Sequence, residues 1–166
     1  MPNLKLIAGD IDGTLITNGK KEVSAETIAL LRRLKKEKNI MFMAASGRQY
    51  QNLRLLFNRI KSDIIYLCEN GCLGIYRNKI IYQKELNHDF ALKIAADVLT
   101  LKDCEVQIST PKIQYIKPKT KAFADYMHNE AGIKVKEIKD LNEIKEPILK
   151  VAVYNPFSTA HRELLK

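Results

Sequence analysis

The chain has 166 residues, 46% apolar and 28% charged, a balance that suits one or two small folded domains and excludes a disordered chain. No apolar run approaches the ~20 residues needed to span a bilayer, and Met1-Pro2-Asn3-Leu4-Lys5 lacks the layout of a signal peptide, so the expected setting is cytoplasmic. Lys and Arg number 28 against 19 Asp and Glu, and the net charge of +9 favours anionic partners.

The excess charge sits mostly in residues 1–86, which carry 15 basic and 8 acidic groups. Leu31-Arg32-Arg33-Leu34-Lys35-Lys36 has apolar residues woven through at helical spacing, which reads as a solvated helix face and speaks against nucleic-acid binding. Three cysteines is an odd count with no CxxC pair. Cys68 and Cys72 therefore read as small buried hydrophobes in a reducing compartment.

In chain order, Leu4 to Ala8 is a short apolar run ending at Gly9, which predicts a buried strand. Ser24 is a candidate helix N-cap, and Ile28, Leu31 and Leu34 form an apolar stripe through about Lys38, closed by Asn39. Residues 40–45 read as a second buried strand. Leu53, Leu56, Phe57 and Ile60 predict an amphipathic helix, and residues 64–68 a third strand. Strand, helix, strand, helix, strand with continuous apolar strands predicts an α/β fold, a parallel sheet covered on both faces. Residues 73–76 and 80–82, separated by Arg77-Asn78-Lys79, predict a hairpin.

Beyond Asn87 the pattern becomes α+β. A helix is predicted over about 89–101, strands over 105–109 and 114–116, a helix over about 120–131 ending at Gly132, and a strand over 148–154. Residues 158–166 read as the start of a further helix. The domain boundary is expected at 86/87.

Open parallel sheets bind ligands beyond the carboxyl ends of their strands. Polar clusters lie there: Asp10 to Thr14, Ser46 to Arg48, and Glu69 to Gly71. Asp10-Ile11-Asp12-Gly13-Thr14-Leu15 places two carboxylates at i and i+2. One can attack phosphorus while the other shuttles the proton of the leaving group. Magnesium prefers such oxygen donors and would neutralise both acids and phosphate, and Gly13 permits a tight turn with close backbone approach.

These residues resemble the first signature motif of the haloacid dehalogenase superfamily, and Ala45-Ser46-Gly47-Arg48 resembles its second. Glu69-Asn70-Gly71 followed by a hairpin resembles the Cof-type, sugar-phosphatase-like branch, in which an α/β cap follows the third strand. The resemblance implies a Rossmann-like core with an incomplete sheet over 1–86 and the first part of a cap over 87–166. It implies Asp10 as nucleophile and magnesium ligand, and Asp12 as general acid/base, its backbone carbonyl also touching the metal. Ser46 would hydrogen-bond a phosphoryl oxygen, with Gly47 and the N–H groups of Ile11, Gly13 and Thr14 in the same cradle. Asn70 and Arg48 read equally as substrate contacts or as an Asn-Gly turn and a helix-start arginine.

The family's third motif, a lysine beyond the cap, and its fourth, a GDxxND-like acidic cluster, find no counterpart. Lys150 lies in a cap-type strand. Lys139-Asp140-Leu141-Asn142-Glu143 lacks the glycine, and Lys134 to Ile138 is too charged to be the buried strand that should precede it. The chain is thus expected to be an incomplete magnesium-dependent phosphatase of phosphorylated small molecules, with an open sheet edge suited to a homo-oligomer. A phosphate-binding or interaction module without turnover is the alternative.

Overall fold

The computed structural model of the chain describes residues 4–16, 22–130 and 134–157. Two compact units, 1–83 and 84–166, divide at the end of a strand. Among the described residues no helix is long and apolar enough to cross a membrane.

The first unit is a five-stranded sheet in the order β1-β2-β3-β4-β5, with β1 Leu6–Asp10, β2 Met41–Ala45, β3 Ile65–Cys68, β4 Leu73–Tyr76 and β5 Lys79–Gln83. The first three strands are parallel, and β3, β4 and β5 continue antiparallel. Helix α1 (Ala25–Lys38) joins β1 to β2, and α2 (Tyr50–Leu56) joins β2 to β3. Ser24 caps α1: its hydroxyl accepts the Thr27 N–H at 3.1 Å, a device worth ~1 kcal/mol. Asn39 ends α1 in the left-handed region, φ 53°, and the next N–H, of Ile40, donates back to the Leu34 carbonyl.

The helices pack on the sheet face that carries Phe42, Ala44 and Tyr66, all buried, with Phe57 wedged between Phe42 and Tyr66. Arg32 donates to the Arg59 carbonyl and Lys35 pairs with Asp63, tying α1 to the segment after α2.

Five expectations are corrected in this unit. β1 runs two residues later than expected and is not buried: Leu4 is 54% and Leu6 41% exposed. It is an edge strand, with β2 on one side and no described strand on the other. The sheet is not covered equally on both faces either. Met41, Met43, Ala45, Ile65 and Leu67, aligned in register on the face opposite Phe42, are only half-buried. The expected helix through Ile60 breaks at Phe57, φ −112°, and continues as a 3-10 turn, Asn58–Ile60. The hairpin turn is the two residues Arg77 and Asn78, both at positive φ, as a tight antiparallel turn requires. Cys72 is half-buried rather than buried, and all three cysteines are free thiols.

The second unit is a four-stranded sheet in the order β8-β7-β6-β9: β6 Glu105–Ser109, β7 Gln114–Ile116, β8 Val135–Glu137 and β9 Lys150–Tyr154. Helix α3 (His88–Thr100), capped by Asn87, buries Ala91, Ala95 and Val98 in a core with Val106, Ile108 and Ile148. The expected helix over 120–131 is a short α4 (Lys121–Asp125) running into a π-helical turn, Tyr126–Glu130. Gly132 and residues 158–166 lie outside the described residues. The buried carboxylate of Glu105 accepts the N–H groups of Lys119 and Thr120 and the Thr120 hydroxyl, which fixes the start of α4. β8 is too charged to read as a strand from its sequence; it forms as the exposed edge beside β7.

Candidate functional site

The site is built by the parallel register. Asp10 pairs with Ala45, and Ala45 with Leu67, so the carboxyl ends of β1, β2 and β3 stand side by side. Asp10 is the last residue of β1 and is exposed. Among the described residues its carboxylate has no hydrogen-bond partner.

The turn after β1 closes on itself. The Ile11 carbonyl accepts the N–H groups of Leu15 at 3.1 Å and Ile16 at 2.8 Å, and the Ile11 side chain is buried. Gly13 takes φ 83°, a conformation that costs an L side chain energy, and its N–H donates to the Ile16 carbonyl at 2.9 Å. The Thr14 N–H donates weakly, at 3.4 Å, to Ile11. The N–H groups of Gly13 and Thr14 therefore point into the turn.

Ser46 follows β2 and is 8% exposed. Its hydroxyl accepts the Arg48 N–H at 3.1 Å and donates to Asp12 Oδ2 at 3.4 Å. Asn70 docks on the same loop: its N–H donates to the Ser46 carbonyl, and Glu69 N–H donates to the Arg48 carbonyl. Glu69, Asn70 and Gly71 all have positive φ, so the chain doubles back sharply after β3. The structure thus brings Asp12, Ser46, Gly47, Arg48 and Asn70 together on three adjoining loops beside Asp10.

The closest interaction is between Arg48 and Asp12. Nη2 donates to Oδ1 at 2.6 Å, and Nε donates to Oδ2 at 3.0 Å and Oδ1 at 3.2 Å. The hydrogen bonds from Arg48 hold the Asp12 carboxyl below its usual range, against a smaller opposing effect of burial; the charge of Arg48 and the Ser46 hydroxyl add to the lowering. This pairing crosses 36 positions of sequence, and no local signal in the chain announces it. Gln49, the N-cap of α2, was not singled out by its sequence. It is 5% exposed, and its Oε1 has no hydrogen-bond partner among the described residues.

Asp10 and Asp12 are the side chains here that could hold a cation. Two carboxylates on one turn are hard oxygen donors of the kind magnesium takes together with water and substrate phosphate. The described residues include no group of three or more His, Cys, Asp or Glu side chains placed to hold a metal. A cavity of about 610 Å³ in the first unit, lined by Val23, Ser24, Ile28, Leu55 and Arg59 among others, contains none of these site residues.

Residues 7–164 match the family of haloacid dehalogenase-like hydrolases. The chain is similar to the 5-amino-6-(5-phospho-D-ribitylamino)uracil phosphatase of Escherichia coli, with 31% identity over 104 residues, 63% of this chain and 38% of that protein. It is similar in structure to a crystal structure from Eubacterium rectale, with 25% identity and a TM-score of 0.79, covering 93% of this chain and 58% of that one. A subclass IIB sugar phosphatase of the same superfamily shares the fold, with a TM-score of 0.73 at 17% identity over 97% of this chain and 62% of that one. The chain therefore spans less than two thirds of the length of these relatives.

Proposed function

The chain belongs to the haloacid dehalogenase-like hydrolase family, and we propose that it acts as a magnesium-dependent phosphatase of phosphorylated small molecules through an aspartyl-phosphate. The observation that carries this reading is the placement of the exposed Asp10 carboxylate, without a partner among the described residues, at the end of β1, two residues from Asp12 and beside the Ser46 loop.

In this mechanism an Asp10 oxygen attacks phosphorus and the bond to the leaving oxygen breaks. Asp12 gives its proton to that oxygen, then takes one from the water that hydrolyses the aspartyl-phosphate. The Ser46 hydroxyl and the Asn70 amide hold phosphoryl oxygens, and Gly47 keeps their approach clear. Magnesium held by the Asp10 carboxylate and the Asp12 backbone carbonyl would neutralise Asp10 and the phosphate. In this reading the first unit is the catalytic core and the second a cap that contacts the leaving group. The Escherichia coli relative is named for a small phosphomonoester, which supports that substrate class here. A cytoplasmic setting accords with Cys68, Cys72 and Cys104 being free thiols. A second copy pairing along the open β1 edge is the oligomer we propose.

The test is phosphate release from p-nitrophenyl phosphate with and without magnesium. The expected result is magnesium-dependent release that Asp10→Asn lowers at least 100-fold. Activity independent of magnesium, or indifferent to Asp10→Asn, overturns the mechanism. One observation favours a second reading, a phosphate-binding module without turnover: both oxygens of Asp12 are already occupied, by Arg48 and Ser46. Phosphate binding without hydrolysis would select it.

A further inference from the structure

We infer that the second unit carries a binding site of its own, for a planar nitrogen heterocycle bearing amino or ring N–H donors, in a cavity at the start of β6. The site shares no residue with the first unit and does not depend on the phosphatase reading.

The cavity, of about 400 Å³, lies where the start of β6, the start of α4 and the end of β9 come together. That volume falls within the ~300–1,000 Å³ that small-molecule pockets take. Phe123, Tyr154, Pro156 and Phe157 supply its apolar walls. Tyr154 already has ring partners: it stacks on Tyr126 at a centroid distance of 5.2 Å, and Phe123 tilts against it at 5.2 Å. Phe157, by contrast, is 69% exposed. Its backbone is anchored there, because its N–H donates to Asn155 Oδ1 at 2.8 Å and Asn155 Nδ2 donates to Cys104 Sγ at 3.8 Å. An anchored aromatic ring left open beside a cavity is a stacking platform for another ring.

The polar groups of the cavity are acceptors. Asp103 is exposed, and its carboxylate has no partner among the described residues. Glu105 is 3% exposed; its Oε1 accepts the Thr120 N–H and hydroxyl, and its Oε2 accepts the Lys119 N–H, which leaves Oε2 one acceptor position. Lys119, the cation on these walls, turns its ammonium to the Leu101 carbonyl at 2.7 Å, and Lys102 and Lys121 are not among the walls. In a chain of net charge +9 the cavity is therefore locally acidic.

Walls and acceptors together select the ligand. An aliphatic chain would fill the walls but strip water from Asp103 and Glu105 with nothing in return. An aromatic anion would meet two carboxylates. A flat ring with N–H donors satisfies both demands, stacking on Phe157 and donating to the acids, as purine and pyrimidine bases with amino groups can. The ordinary alternative is a solvated groove that takes no ligand.

The experiment is equilibrium dialysis of adenine against the full chain, with benzoate, flat but anionic and without N–H donors, as the comparison. Adenine is expected to bind, and benzoate to bind roughly tenfold more weakly. Phe157→Ala is expected to weaken adenine binding about tenfold, the scale of one base–aromatic stack. Asp103→Asn is expected to weaken it about threefold, as loss of one exposed charged contact does. Both positions are exposed, so neither change disturbs a core, whereas Glu105 anchors α4. Phe90→Ala is the control: Phe90 is 60% exposed on α3 but is not on the walls, and the change should leave adenine binding as it is.

If adenine does not bind, or binds no better than benzoate, the cavity is a solvated groove and the assignment is overturned. It is overturned equally if Phe90→Ala weakens binding as much as Phe157→Ala does. Asp10→Asn separates the two units: it should leave adenine binding unchanged, and a loss there would put the ligand in the first unit and remove the second site while the phosphatase reading stands.

Discussion

The side-chain oxygen of Asn70 lies 2.5 Å from where a β-carbon on residue 47 would stand. The absence of a side chain at Gly47 is what lets the loop after β3 lay its amide across the loop after β2. Asn70 is itself in the left-handed region, φ 57°, so its amide reaches this spot only because the chain doubles back there.

Gly47→Ala should therefore push the Asn70 amide aside. Gly47 is exposed and the clashing atom is the tip of a short side chain, so stability should change by less than about 1 kcal/mol. Phosphate affinity should fall several-fold. The double variant Gly47→Ala with Asn70→Ala should bind phosphate no more weakly than Asn70→Ala alone, because both changes remove one contact. Calorimetric titration with inorganic phosphate checks this, and additive losses would show that the two residues act separately.

The Arg48–Asp12 pair also makes a prediction about acid. The Asp12 carboxyl lies below its ordinary value of 3.8 in the folded chain, mainly through hydrogen bonds from Arg48. The unfolded chain thus takes up the proton first as pH falls. The stabilisation is fully present above 3.8 and is lost as pH drops through the lowered folded value. With both side chains partly in water the amount is at most ~1 kcal/mol. Urea unfolding should find Arg48→Gln slightly less stable than wild type at pH 6, with the gap closing toward pH 2. A gap that persists or widens in acid would mean that Arg48 stabilises the fold by packing.

Much of this architecture is legible in single residues. Ser24 and Asn39 bound α1 because a hydroxyl can satisfy an orphan N–H and an asparagine tolerates the left-handed turn. Asp10, Ser46 and Asn70 each follow an apolar run, and a parallel register is enough to gather the ends of those runs. What is not legible depends on neighbours. Leu4 to Ala8 has the composition of an interior strand, but composition says nothing about sheet order, and β1 lies at an edge. Val135–Glu137 is a strand only because β7 supplies the hydrogen bonds that its own charged side chains do not suggest. The helix stripe through Ile60 is apolar throughout, yet Phe57 turns into the core between Phe42 and Tyr66 and the α-helix stops there. The grip of Arg48 on Asp12 depends on one rotamer across two loops, which no spacing rule reaches.

The edge position of β1 leads to the last prediction. Its outer side has no described partner strand, and Leu4 and Leu6 are 54% and 41% exposed. Beside it, Met41, Met43, Ile65 and Leu67 extend a half-buried apolar face. An open apolar edge is a template for pairing with another chain, and two copies can meet it by placing their β1 strands side by side. Light scattering should then show association that rises with protein concentration. Leu6→Lys should shift the protein toward monomer by placing a charge on the edge. Leu30→Lys is the control: Leu30 is 53% exposed but lies on α1 rather than on β1, and should leave association unchanged. If both substitutions act equally, the association is general hydrophobic adhesion. If neither acts, β1 is not the contact.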